Sequence, residues 1–361
     1  MKINIKKLPK SEVEIEGELE TDVFESYFNK ALKRLGDEIE LAGFRKGKAP
    51  EAVLLKHIPE IKILEEMAEM ALAEHYEKIL DSEKIDAISR PEINITKLAR
   101  KNPLGFKIKT AVMPETKLPD YKNVSSKILS EIKKEEKDVT VTDEEVYNTI
   151  MDIRKSRAPK KHMAEGAEHV HVEGEEHDHS HDEEVKAEDL PEFNDDFVRS
   201  LGPFKDVEDF KTKLKENIKL EKENQLKERT RLKIIEKIIE GAEIDIPEIL
   251  VELELDKILY RMESDITTMG LKFDDYLKHL NKTKEDLRKE FRNDGEKKAK
   301  LALVLNKISD VEKIIADEEE VAKEVNNILA HYKDADPERA KAYAQNILTN
   351  EKIFQFLENQ K

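Results

Sequence analysis

Apolar positions along the chain follow two periods, and the changes between them mark the elements. Ile3 and Ile5 alternate with polar neighbours, and beyond Pro9-Lys10 the residues Val13, Ile15 and Leu19 alternate again, so this stretch predicts a pair of strands. The period then lengthens. Val23, Phe24, Tyr27, Phe28, Ala31, Leu32, Leu35 and Ile39 keep helical spacing, with Asp22 and Glu25 placed as a capping box and Gly43 placed to end the helix. Pro50 and Pro59 open two further helices, the second carrying Ile63, Leu64, Met67, Met70, Ala71 and Ile79. Ile93 and Ile95, then Phe106, Ile108 and Val112, flank an Asn102-Pro103 turn and predict two more strands. The sum is an α+β module, with helices over an antiparallel sheet.

Further on the pattern is almost wholly helical. Residues 114–141 contain Pro114 and Pro119 and scattered apolar positions, which predicts an extended connector with one strand-like piece from Val124 to Ile132. Thr142 and Glu145 form a capping box before a helix that carries Val146, Ile150 and Ile153 and reaches Arg157. A long helix is predicted from Asp206 to Ile239. Its middle, Lys219 to Arg231, offers only Leu220 and Leu226 as apolar anchors, so it should bridge between two buried ends. Helices follow at Pro247 to Met269, Phe273 to Leu280 and Lys284 to about Ile315, with starts marked by Thr283/Asp286 and Asp317/Glu320, and Pro337 opens the last. No repeat of solenoid period is present.

Composition narrows the function. Of 361 residues 40% are charged and 38% hydrophobic, and the net charge of −17 argues against general nucleic-acid binding. Residues 1–113 nevertheless hold 20 Lys/Arg against 21 Asp/Glu, so the acidity lies downstream and any RNA contact belongs to this end. With no cysteine, disulfides, thiolate metal sites and cysteine nucleophiles are excluded. The first twenty residues lack the apolar run of a signal peptide and no stretch is long enough to span a membrane, so a soluble cytoplasmic protein with no membrane partner is expected. Phosphate-cradling glycine loops, H-E-x-x-H and G-x-S-x-G are all missing, and no catalytic residue or cofactor is assigned.

One short stretch stands out chemically. Gly43-Phe44-Arg45-Lys46-Gly47-Lys48-Ala49-Pro50 lies between two helical patterns and carries no negative charge. Its glycines let the backbone turn sharply, its three cations suit phosphates and carboxylates, and its phenylalanine suits a small pocket. The G-F-R-x-G-x-x-P pattern resembles the ribosome-docking loop of bacterial trigger factors, chaperones that wait at the exit of the ribosomal tunnel. Two further segments resemble the same family in the same order: Leu190-Pro191-Glu192-Phe193-Asn194-Asp195-Asp196-Phe197 with Leu201-Gly202, and Ile244-Asp245-Ile246-Pro247-Glu248-Ile249-Leu250-Val251-Glu252. The resemblance implies an elongated multidomain chain, with an α+β N-terminal ribosome-binding domain and an all-α C-terminal chaperone domain with helical arms. It implies that Phe44, Arg45 and Lys46 anchor to a ribosomal protein and ribosomal RNA, with Gly43, Gly47 and Lys48 completing the loop. Unfolded nascent polypeptides would be the clients, held without ATP, and a homodimer of the free protein stays open.

The chain departs from the family in the middle. Most trigger factors carry an FKBP-like prolyl isomerase domain after the capped helix, whereas residues 159–189 contain no Phe, Tyr, Trp, Leu or Ile and set three lysines against eleven Asp/Glu. Such a segment buries too little apolar surface to offset its ordering entropy, so an acidic disordered linker is expected in place of the isomerase. The domains are accordingly 1–113 for docking, 114–158 for the connector and helix, 159–189 for the linker and 190–361 for chaperoning. His169, His171, His177, His179 and His181, with His162 nearby, make the linker a weak metal-ligand candidate, since nothing fixes a tetrahedral set. The C-terminal region leaves two readings for Met262, Met269, Leu271, Phe273 and Tyr276, client contacts near an arm tip or helix–helix core. Two other functions stay open beside the ribosome-docked chaperone: a ribosome-independent holding or assembly factor, and a metal-storage or delivery protein using the histidine tract.

Overall fold

The computed structural model describes residues 2–41, 44–45, 47–135, 140–158 and 190–360. The described residues divide into two compact units, one of residues 1–121 with 235–356, the other of residues 122–234 with the last five.

The first unit begins with the alternating segments, which form strands β1 (Lys2–Leu8) and β2 (Glu12–Leu19). With β3 (Glu92–Lys97) and β4 (Leu104–Ala111) they make an antiparallel sheet ordered β1-β2-β4-β3. Register sorts its two faces. Ile5, Ile15, Ile108 and Ile93 lie in one row across the sheet, and Ile3, Gly17, Phe106 and Ile95 in the next. Gly17 is the small member because the Phe106 ring covers it; a Cβ there would stand 2.6 Å from the ring. On the opposite face Lys6, Glu14, Lys109 and Glu92 alternate in sign across the strands, and Lys109 reaches Glu12 at 2.8 Å. Opposite charges on neighbouring strands favour this register over a slipped one.

Helices cover the apolar rows: α1 (Thr21–Glu25), α2 (Phe28–Glu38), α3 (Glu51–His57) and α4 (Glu60–Glu83). Phe24, Leu32, Met67 and Leu72 are buried against Ile15, Leu104, Phe106 and Ile108 in one core. Pro50 and Pro59 stand at the N-caps of α3 and α4 with extended dihedrals, so the residues they precede start the helices. The helix expected from Asp22 to near Gly43 instead breaks at Ser26-Tyr27 and ends at Glu38. The Asp22/Glu25 capping box does not form, because α1 is capped at Glu20 and Asp22 already lies in its first turn; the Glu25 carboxylate instead accepts from the Arg100 guanidinium at 2.8 Å and the Lys101 amide at 2.6 Å. That guanidinium also lies 3.7 Å over the Phe28 ring.

The same unit holds α9 (Glu248–Thr268), α10 (Phe273–His279), α11 (Lys284–Glu290), α12 (Arg292–Glu312), α13 (Glu318–His331) and most of α14 (Pro337–Glu358). Thr283 with Asp286 closes a capping box, and the Asp317 side chain accepts from the Glu319 and Glu320 amides, as their spacing requires. The helix expected to run unbroken from Lys284 breaks at Phe291, whose ring packs on the cluster of Leu259, Ile266, Phe273, Leu277 and Leu287. Gly295 permits close packing of α12 on α9, since a Cβ there would meet the Leu255 side chain at 3.1 Å.

In the second unit α6 (Asp143–Ser156) starts on its Thr142/Glu145 capping box, and α7 (Asp195–Leu201) starts on Asn194, which accepts from the Phe197 amide. Val146, Ile150, Val198 and Phe210 form their shared core with α8 (Val207–Gly241), reinforced by edge-to-face contacts of Phe210 with Phe193 and Phe204. The polar middle of α8 is met by polar partners. Lys222 reaches Glu145 at 2.5 Å and the Thr140 carbonyl at 3.1 Å, while Arg231 pairs with Glu358 at 2.6 Å. The strand-like piece expected from Val124 to Ile132 is a helix, α5 (Tyr121–Glu135). Tyr121, Ser125 and Ile132 are buried along it, a stripe at helical spacing that outweighs the extended bias of the two prolines before it.

One network inside the first unit gives the fold an acid response. The Tyr27 hydroxyl donates to Glu74 at 2.7 Å, with His75 Nε2 at 3.4 Å, and Lys78 donates to the other Glu74 oxygen at 2.9 Å. Lys78, then Tyr27, hold the Glu74 carboxyl down at about 2, against an ordinary 4.5, while burial and Glu74 push the Tyr27 hydroxyl up to about 12. A depressed carboxyl contributes its full stability above 4.5 and loses it as pH falls toward 2. The Glu74→Gln variant is therefore expected to lose part of the decline in thermal midpoint between those two pH values, while its midpoint at neutral pH falls; an unchanged acid slope would refute the assignment.

Candidate functional site

The basic loop hangs between α2 and α3, and the packing of those two helices positions its ends. Gly36 of α2 is buried against Leu54 of α3, with no room for a side chain: a Cβ would come within 2.7 Å of Leu54. Within the loop the Phe44 amide donates to the Leu41 carbonyl at 3.1 Å and the Lys48 amide to the Arg45 carbonyl at 2.9 Å. Gly47 has φ +73°, and its Cα sits so close to Asp37 that a Cβ would meet the carboxylate at 2.5 Å. Two separate constraints thus demand glycine there, a left-handed backbone and a crowded floor. Gly43 and Lys46 lie outside the described residues.

The chemistry the loop presents is outward. Phe44 is 42% exposed, a large apolar side chain left partly uncovered. Arg45 and Lys48 are exposed, and among the described residues neither meets a carboxylate, whereas cations such as Arg34, Arg100, Lys109 and Arg292 do. Beneath Gly47 a recess of about 220 Å³ opens between α2 and α3, with Leu32, Ala49 and Leu54 lining it beside Lys33, Asp37 and Glu51. An exposed aromatic ring with cations beside it in the chain is equipped to dock on an anionic surface that also offers an apolar pocket.

The helical part of the same unit exposes a different chemistry. The five residues read two ways from sequence divide: Phe273 is core, Met262 and Tyr276 pack against that core, and Met269 and Leu271 stand 77% and 57% exposed at the α9–α10 turn. Gly270 between them has φ +81°, and a Cβ added there would meet nothing within 4 Å, so the turn faces open space. A second recess, of about 560 Å³, lies between α13 and α14, with Ala316, Val321 and Val325 inside it and Ile315, 69% exposed, at its edge. Apolar surface left uncovered in this way marks a place for apolar partners.

His169, His171, His177, His179 and His181 lie outside the described residues, as does the acidic segment that contains them. Among the described residues no group of His, Asp and Glu is placed to hold a metal ion. No helix among them is long and apolar enough to cross a membrane.

Comparison with known proteins gives this geometry its context. The amino-terminal family model described as bacterial trigger factor protein matches residues 1–153, and the model of the trigger factor C-terminus matches residues 206–361. The trigger factor of Caldanaerobacter subterraneus subsp. tengcongensis is 26% identical, over 92% of this chain and 90% of its own. Those of Halothermothrix orenii and Carboxydothermus hydrogenoformans are 25% and 27% identical, each over 96% of this chain and 94% of their own. A solved structure of the trigger factor chaperone shares the fold, with a TM-score of 0.53 at 21% identity over 100% of both chains. With two models of one family in the expected order, and relatives aligned nearly end to end, the chain belongs to the bacterial trigger factor family.

Proposed function

We propose that this chain is an ATP-independent chaperone of the cytoplasm that docks at the ribosomal exit through residues 43–48 and holds emerging polypeptides on its helical part. Phe44, Arg45 and Lys46 anchor the loop, Gly43 and Gly47 shape it, and Lys48 adds a further phosphate contact. The observation that carries this reading is the exposed Phe44 beside Arg45 and Lys48, which have no carboxylate partner among the described residues of a chain whose net charge is −17. An acidic protein that leaves these cations free keeps a local attraction for RNA phosphates while the rest of its surface is repelled, which orients the encounter. Met269 and Leu271 at the α9–α10 turn, with the recess between α13 and α14, offer the apolar surface for clients. Binding through such surface needs no nucleotide to release it.

The domain assignment of the proposal is residues 1–113 for docking, 114–158 as connector, 159–189 as an acidic linker where relatives carry an isomerase, and 190–361 for clients. The two family models leave residues 154–205 unmatched, which fits that division. Without the isomerase the chain holds clients and does not turn proline bonds. Purified protein is therefore expected to suppress aggregation of a refolding client and to leave the slow, proline-limited phase of its refolding at the uncatalysed rate; marked acceleration of that phase would refute this part.

Docking is tested by co-sedimentation with bacterial ribosomes. Wild type is expected to pellet, with an affinity that falls steeply as salt rises. The Phe44→Ala, Arg45→Ala, Lys46→Ala variant is expected to remain in the supernatant, and Gly47→Ala to weaken binding without removing a charge, since a left-handed residue with a side chain costs about 1 kcal/mol or more before the Asp37 clash is counted. If the wild type fails to pellet yet both proteins suppress aggregation equally, the function is that of a ribosome-independent holding factor.

A further inference from the structure

The connection between β1 and β2 breaks a local rule. Only Pro9, Lys10 and Ser11 separate the paired residues Leu8 and Glu12, and two of the three lie in the left-handed region, Lys10 at φ 61° and Ser11 at φ 47°. Glycine and asparagine occupy such positions at little cost, whereas lysine and serine are strained there. A strained turn persists only when its surroundings over-determine it.

Those surroundings come from far along the chain. The Ser11 amide donates to Asp245 Oδ2 at 3.0 Å, and the Ser11 hydroxyl donates to the Asp245 carbonyl at 2.5 Å. The Ser11 carbonyl accepts from the Val112 amide at 2.8 Å, so every polar group of this residue is engaged. Lys10 Nζ reaches Glu248 Oε2 at 2.9 Å. Glu248 is itself held by Arg292 of α12 at 2.5 Å, and Arg288 bridges Glu252 and Asp256 one and two turns farther along α9. Close by, Lys117 and Glu243 exchange both backbone hydrogen bonds at 3.1 Å.

We infer that Asp245 is a positioning residue, which seats the β1–β2 turn, and with it the module bearing the docking loop, on the base of α9. Helix α9 spans 21 residues, about 30 Å at the α-helical rise, and ends beside the exposed Met269 and Leu271. The seat therefore fixes where the apolar turn stands relative to the loop. Its value to a docked chaperone rests on the proposed function, but the seat itself belongs to the free protein and is measured there.

The chain has no cysteine, so spin labels attach only where cysteines are introduced. Labels at Lys33→Cys on α2 and Arg261→Cys on α9, both exposed positions, report the distance between module and helix by pulsed electron resonance. The expected result is one narrow distribution in the otherwise native protein and one about twofold broader in Asp245→Ala, as for modules joined by a weakened interface. Amide exchange at Ser11 is expected to rise about tenfold in the same variant, the effect of one lost charge-assisted hydrogen bond, while the Ile15 and Phe106 amides stay protected. Asp245→Asn keeps the acceptor and is expected to restore both readouts largely. An unchanged distribution in Asp245→Ala overturns the positioning role, and unchanged exchange at Ser11 overturns the seat. Both are read without ribosomes, so failure of docking in the sedimentation experiment leaves them decisive.

Discussion

The amino-terminal sheet has one apolar face, and the need to bury it governs the rest of that module. Rows running from β1 to β3 through Ile15, Gly17, Phe106 and Ile108 form a single surface, and α2 and α4 close over it. Once those helices are committed to the sheet, α3 can join them only by setting Leu54 against Gly36. The loop between α2 and α3 is thereby held at both ends on a rigid base, with Ile39, Leu41 and Ala49 packed against the core while Phe44, Arg45 and Lys48 stay exposed. Exposed loop residues are thus the ones that the hydrophobic effect leaves over, on a scaffold that it makes stiff.

Charge is distributed by the same economy. The outer face of the sheet, the surface of α4 and the α9–α12 pair match their cations to carboxylates, as in Arg34 with Glu66, Lys109 with Glu12 and Arg292 with Glu248. Each exposed pair adds little stability. Arg45 and Lys48 are among the cations that meet no carboxylate among the described residues of this strongly acidic chain.

Apolar side chains at the α9–α10 turn are sorted by a similar competition. Phe273 fills the space between Leu259, Ile266 and Leu287, and that leaves Met269 and Leu271 on a glycine turn with no core to enter. Exposure there follows from geometry, since one small cluster of five buried residues has no further volume for two more side chains.

Elements whose causes lie within a few residues were legible in the sequence. The strand alternation, the caps at Thr142, Thr283 and Asp317, the proline starts and the basic loop with its glycines all depend on neighbours no more than a turn away, and the family motifs lie on those same elements. Distant competition decided the rest. Glu25 ends α1 with its carboxylate held by Arg100 from 75 positions away. Phe291 breaks a helix to reach a cluster that includes residues of α9 and α10. Ser11 holds a left-handed backbone because Asp245, 234 positions later, binds both its amide and its hydroxyl. Which cations would stay unpaired was likewise hidden, since a one-dimensional list of charges does not say which carboxylates come within reach. Local propensity and periodicity are properties of the chain, whereas the choice among several adequate partners for one polar group is made only when the fold sets their distances.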